Sequence, residues 1–182
     1  MQYIVDSDAT VACITESWLT DSTNHVTYII KSYGYSISHT HRQNKIGGGV
    51  CFIYKPNIIM KKINHISTYE SFEYHCLEFP YNSNCTNLAI AGIYRKQEIS
   101  FKQFCTDFHH FCEKVIDHSR KYFLLVGDFN IHFEYDNTQS NRFANLITTF
   151  GFSQHVTEAT NTSGHTIDLF FFQNAMKPPL IQ

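Results

Sequence analysis

Charge is what this 182-residue sequence has little of. Asp, Glu, Lys and Arg make up 16% of it, against ~25% in ordinary soluble domains, while aromatics reach 15%. That balance excludes a disordered or low-complexity chain. The net charge of -2 with neutral histidines excludes a protein that coats nucleic acid by bulk attraction, so any such contact must be local. The six cysteines contain no C-x-x-C pair and lie mostly in apolar segments such as VACIT and GGVCFIY, which predicts buried reduced thiols. The eleven histidines are scattered without metal-ligand spacing, which predicts no structural zinc site. No apolar run approaches the ~18 residues of a membrane span, and the opening MQYIVDSDAT carries acids where a signal peptide needs an apolar stretch. The expectation is an intracellular chain without a membrane partner. Prolines are few, and Pro56, Pro80, Pro178 and Pro179 fall at segment ends; with no linker or repeat, residues 1–182 read as one domain.

What is present is a series of short β-rich runs: 11–15, 35–39, 49–55, 72–79, 88–94, 122–127 and 166–172. Several are apolar on both faces and belong inside a layered fold. Two helices lie between them. In the first, Phe101, Phe104, Cys105, Phe108, Phe111, Cys112 and Val115 form a core stripe, and Ser100 with Gln103 suits a capping box. In the second, Ser140 is the expected cap, Phe143, Leu146, Ile147 and Phe150 the buried face, and Gly151 the stop. Strands mixed with helices that each need a sheet to cover predict an α/β sandwich.

Three apolar strands end in polar residues at their carboxyl ends: Glu16 after VACIT, Tyr94 and Arg95 after LAIAGI, and Asp128 and Asn130 after LLVG. Open α/β sheets gather binding groups there, and a hard cation such as Mg²⁺ takes one or two carboxylates and keeps water and phosphate as its other ligands. In an extended GDFN, Asp128 and Asn130 would project to one side and Phe129 to the other. A solvated turn, a strand-end cap at Glu16 and half-buried packing at Tyr94 would use the same residues. The run Gly47, Gly48, Gly49 opens no helix and so is no P-loop; it suits a close pass between backbones, with Arg42 and Lys45 just before it able to touch a DNA phosphate. Asp168, in an otherwise apolar strand, must be paired or face a polar cleft. His165 reads as a loop or strand-entry residue.

Taken in order, CITESWL, GGGVCFIYK, LAIAGIYR, YFLLVGDFN and FGFSQHVTEATNTSGHTIDLFF resemble the endonuclease domain of LINE-type (non-LTR) retrotransposons, within the endonuclease/exonuclease/phosphatase superfamily. The resemblance covers nearly the whole chain. It implies a four-layered α/β sandwich of two packed mixed sheets flanked by helices, and a Mg²⁺-dependent phosphodiesterase (Mn²⁺ as substitute) that nicks DNA beside a downstream reverse transcriptase. It implies Glu16 as metal ligand, Tyr94 on the scissile phosphate, Asp128 and Asn130 positioning water and stabilising the transition state, and Asp168 orienting a catalytic histidine. The family pattern also has an Asn-bearing strand before the ITE motif and a Ser-Asp-His segment after the IDLFF strand. Residues 1–182 contain neither, so the expectation is a domain truncated at both ends with impaired activity. Two alternatives stand beside it: a catalytically dead remnant that at most binds nucleic acid or protein, and a phosphatase acting on a small phosphorylated molecule.

Overall fold

The computed structural model describes residues 1–20, 24–40, 47–64, 67–80, 87–116 and 122–173. Helix α1 (Gln2–Asp6) leads into strand β1 (Val11–Thr15), followed by α2 (Asn24–Ser32), β2 (Ser36–Thr40) and β3 (Val50–Tyr54). Strands β4 (Lys61–Lys62), β5 (Phe72–Pro80) and β6 (Asn87–Arg95) come next, then α3 (Phe101–Val115), β7 (Tyr122–Asp128), α4 (Thr138–Thr149), β8 (Phe152–Gln154) and β9 (Asp168–Gln173). All seven strands expected from the sequence form, with ends shifted by a residue or two. The short α1, the β-branched α2 and the brief β4 and β8 add to them.

The strands divide into an antiparallel three-stranded sheet, β1-β3-β2, and a six-stranded sheet, β4-β5-β6-β7-β9-β8. Only β6 and β7 are parallel in the larger sheet, and α3 makes the crossover that a parallel pair needs. Side-chain alternation assigns each face to a layer. On β3, Cys51 and Ile53 pack with Ile4 and Ile30 of the first two helices, while Phe52 turns toward Leu77 and Ile90 of the other sheet. On β7, Phe123 and Leu125 join α3 and α4, while Leu124 and Val126 face the small sheet. The result is helices, small sheet, large sheet, helices: the four-layered sandwich expected.

The outer core of the large sheet is built from phenylalanine. Phe104 and Phe108 of α3 and Phe143 of α4 meet Phe129 and Phe171, all fully buried, with ring centroids 5.3 Å apart for Phe108–Phe143 and Phe129–Phe171. At the start of α3, Ser100 accepts from the Gln103 N–H, but the Gln103 side chain reaches forward to Asp107 Oδ1 at 2.7 Å, so only half of the expected capping box forms. The cap of α4 is Asn137, not Ser140. Asn137 Oδ1 accepts from the Gln139 and Ser140 N–H groups, and Ser140 serves as the reciprocal partner three residues into the box. Cys13, Cys51, Cys76, Cys105 and Cys112 are free thiols, four of them buried, as expected; Cys85 lies outside the described residues.

Between the sheets sits one buried histidine. His75 on β5 places Nε2 2.7 Å from Ser38 Oγ and Nδ1 2.7 Å from Thr40 Oγ1, both on β2. Burial, then Lys62 and His39, push its pKa down to about 3. The sheets close tightly at Gly92, where a Cβ would stand 2.7 Å from Val50 Cγ1 and 2.8 Å from Cys13 Sγ. No helix among the described residues is long and apolar enough to cross a membrane.

Candidate active site

Alternation also decides where the polar strand ends point. Tyr94 shares its face of β6 with Ile90 and Gly92, Asp128 shares its face of β7 with Leu124 and Val126, and both faces look toward the small sheet. The ladders put Tyr94 opposite Asp128 and Asp128 opposite Asp168. Three strands thus present a tyrosine, a half-buried acid and an exposed acid in one row at the end of the cleft between the sheets.

Glu16 enters this row from the other sheet. After the pair Thr15–Val50 closes the β1–β3 ladder, Glu16 and Trp18 take left-handed φ values of 50° and 54°. The turn is held by the Ser17 N–H on Gly49 O at 3.1 Å and the Trp18 N–H on Gly48 O at 2.8 Å. The glycine run has φ of 72° to 87°, a conformation that side chains rarely adopt, and so it performs the close backbone pass expected of it. The Gly49 N–H donates to Glu73 Oε2 of β5 at 2.5 Å, tying the turn to the large sheet. The Tyr94 hydroxyl donates to Glu16 Oε1, joining the two sheets at the row. Arg42 and Lys45 lie outside the described residues.

Asp128 carries a perturbed carboxyl. Burial first, then the neighbouring Asp168 and Glu16 carboxylates, push its pKa up to about 6, against the pull of the Asn130 N–H and Arg95. Its placement rests on Gly127, whose φ is 136° and whose added Cβ would stand 2.1 Å from Ile93 O; only glycine fits between β6 and the acid. Asp168, opposite Asp128 in the ladder, is exposed at the same end of the sheet.

Two expected residues point elsewhere. Arg95, placed by the sequence with Tyr94 among the binding groups at the strand ends, is buried on the opposite face of β6. Its guanidinium lies over the rings of Phe101 and Phe104, 5.8 and 5.4 Å from their centroids, and Nη1 donates to Asn130 O at 3.0 Å. Adjacent strand residues face opposite sides, so Tyr94 and Arg95 cannot both reach the cleft. The extended alternation expected for GDFN stops at Asp128. Asn130 has φ of 50°; its N–H donates to Asp128 Oδ1 at 2.9 Å, its Nδ2 to Arg95 O at 2.8 Å, and its Oδ1 accepts from Gln97 Nε2. It therefore braces the exits of β6 and β7 and fixes one Asp128 oxygen, while Phe129 is fully buried in the outer core.

The donor set suits a hard divalent cation. Carboxylates from two sheets approach a half-buried acid whose pKa is raised first by burial and then by Asp168 and Glu16, and oxygen donors with open positions are what Mg²⁺ takes.

Other proteins share this arrangement of strands. The chain aligns with the endonuclease domain of TRAS1, a telomere-specific non-LTR retrotransposon, at a TM-score of 0.67 and 9% identity, covering 96% of this chain and 78% of that one. It aligns with an AP endonuclease from Archaeoglobus fulgidus at 0.62 and 10% identity (94% and 79% covered), and with a mannosyl-6-phosphatase from Bacteroides thetaiotaomicron at 0.67 and 10% identity (94% and 74% covered). At these identities the likeness is one of fold. No curated protein sequence matches the chain. The model of the Endonuclease/Exonuclease/phosphatase family matches residues 1–179, and the chain belongs to that family of hydrolytic enzymes.

Proposed function

We propose that the chain acts as a Mg²⁺-dependent phosphodiesterase on DNA, as the endonuclease part of a non-LTR retrotransposon that works beside a reverse transcriptase. One observation carries this reading: Tyr94, Asp128 and Asp168 occupy one row across three strands, and Tyr94 bonds the single carboxylate, Glu16, that the second sheet delivers. The fold neighbours include a phosphatase as well as endonucleases, so fold does not choose the substrate. The ordered motifs through VTEAT and HTIDLFF favour DNA over a small phosphorylated molecule.

Glu16 is the protein ligand to the cation, and Mn²⁺ substitutes for Mg²⁺. When bound, the cation polarises a phosphoryl oxygen and neutralises developing charge. Asp128, held through one oxygen by the Asn130 N–H, keeps its other oxygen for orienting the attacking water and receiving its proton, which a carboxyl of raised pKa does more readily near neutrality. Tyr94 sets the Glu16 carboxylate through its single O–H, which would turn to the phosphate once substrate is bound. Asn130 acts through Asp128, and Arg95 acts through Asn130, so both are positioning residues.

A second reading has support in the same site. Its polar strand ends could hold a nucleic-acid phosphate without cleaving it, as a binding module rather than an enzyme. Supercoiled plasmid with Mg²⁺ separates the readings. Nicking that stops with EDTA and in Asp128→Ala supports the enzyme. Salt-sensitive, Mg²⁺-independent binding without nicking supports the binding module and refutes the enzyme. Phosphate release from sugar phosphates without nicking would transfer the site to small substrates.

A further inference from the structure

Next to the carboxylate row lies a cluster of different chemistry. The loop after β7 carries His132 and Glu134, and the loop before β9 carries His165. His132 Nδ1 lies 3.0 Å and His165 Nδ1 2.8 Å from the same oxygen, Glu134 Oε1. One donor atom from each residue lies within 4.8 Å of the other two, the one such group of three His, Cys, Asp or Glu side chains among the described residues. The histidines looked scattered in sequence because the two that meet are far apart along the chain; the fold brings them together.

From this we infer a transition-metal site of the zinc class, separate from the proposed Mg²⁺ site, with His132 Nδ1, His165 Nδ1 and Glu134 as ligands and a fourth position open to water.

The donor set selects the metal. Two imidazoles and one carboxylate suit Zn²⁺, whereas Mg²⁺ and Ca²⁺ take oxygen donors. The rings stand nearly perpendicular, 87° apart with centroids 4.3 Å from each other, so two Nδ1 lone pairs can converge on one point without the rings stacking. Binding through Nδ1 needs each ring to carry its proton on Nε2, so that the Nδ1 facing Glu134 offers its lone pair to the metal.

The supporting contacts are those that orient metal ligands. Glu134 Oε2 accepts from the Thr166 N–H at 2.9 Å, leaving Oε1 aimed at the two rings. The His165 N–H donates to Asn161 Oδ1 at 2.9 Å and its carbonyl accepts from the Thr160 N–H at 2.8 Å, which fixes the loop that carries the ring. Tyr135 packs on both rings, with centroids 5.8 Å from His132 and 6.1 Å from His165. Side-chain exposures of 45% for His132, 30% for His165 and 20% for Glu134 leave a path for the ion and a water. A metal here would clip the segment leaving Asp128 to the segment entering Asp168, stiffening both acids from outside the cleft.

The test is stoichiometric binding of Zn²⁺ to the EDTA-stripped full chain, followed by competition with a chromophoric chelator, with Co²⁺ as the spectroscopic probe. The expected result is one equivalent of Zn²⁺ and a visible Co²⁺ band typical of low coordination number. His132→Ala and His165→Ala should each weaken binding by at least about tenfold, the scale by which even supporting residues of metal sites count. His132→Gln, of similar bulk, guards against a folding defect and should do the same with an unchanged circular dichroism spectrum. Glu16→Gln and Asp128→Asn should leave Zn²⁺ binding intact. Absence of binding, binding indifferent to both histidines, or binding lost in Asp128→Asn instead would each overturn the inference.

Discussion

The two sheets of this molecule are unequal partners. The six-stranded sheet carries Tyr94, Asp128 and Asp168 and is backed by a phenylalanine core under α3 and α4. The three-stranded sheet has a thinner core of smaller side chains under α1 and α2 and supplies one site residue, Glu16. The larger buried core lies under one sheet, while the site exists only where both meet. Substitutions can therefore separate the two properties, by weakening the large sheet's core without moving the row, or by shifting the small sheet without unfolding the large one.

The largest effect should come from the row itself. Asp128→Ala and Glu16→Gln, one from each sheet, should each lower Mg²⁺-dependent plasmid nicking on the order of 10²–10⁴ while leaving the thermal midpoint nearly unchanged. An effect confined to Asp128 would break the claim that the small sheet contributes. Phe108→Ala removes a fully buried ring from the outer core and should cost about 3–5 kcal/mol in urea unfolding. Below its midpoint it should retain nicking, because the row lies on the other face of the sheet.

Gly92→Ala attacks the seam. Its methyl would press on Val50 and Cys13, and overpacking of this kind costs about 1–3 kcal/mol. The loss of nicking should exceed what that destabilisation explains, because the displaced strands, β1 and β3, carry Glu16 and the turn that fixes it. Parallel loss of stability and activity would mean that sheet spacing does not matter to the site.

The effect that vanishes at neutral pH is acid sensitivity from His75. Its folded pKa of about 3 lies below the ordinary value of 6.5, so between these values the unfolded chain binds a proton that the folded chain refuses. Stability is full above pH 6.5 and falls as pH drops toward 3, by at most about 1.4 kcal/mol per pH unit. His75→Leu should flatten that slope while costing about 1–3 kcal/mol at neutral pH, since the hydroxyls of Ser38 and Thr40 lose their shared partner. Urea midpoints measured from pH 7 to pH 4 check both.

Much of this was legible in the sequence because the large sheet's strands are continuous apolar runs with polar ends. Tyr94 and Asp128 stand where those runs stop, Glu16 stands after a similar run in the small sheet, and Asp168 opens β9 opposite Asp128. Arg95 was misread although the signal was present: it follows Tyr94 in a strand and so faces the opposite side. Asn130 was misread because its left-handed backbone breaks the alternation that an extended GDFN implies, and nothing in four residues announces that turn. Helix α2 hides behind β-branched residues in NHVTYIIKS, which owe their helical state to burial of Ile30 rather than to propensity. The His132–Glu134–His165 cluster could not be read from spacing, since its loops meet only after β7 and β9 pair.

Mn²⁺ binding followed by electron paramagnetic resonance, in the chain and in Glu16→Gln, Asp128→Asn and the double variant, tests the joint site most directly. If Glu16 is the ligand and Asp128 holds a water beside the same cation, each single variant weakens binding, Glu16→Gln the more, and the double variant is scarcely worse than Glu16→Gln. Losses that simply add, or a Glu16→Gln chain that binds Mn²⁺ as before, would contradict the account.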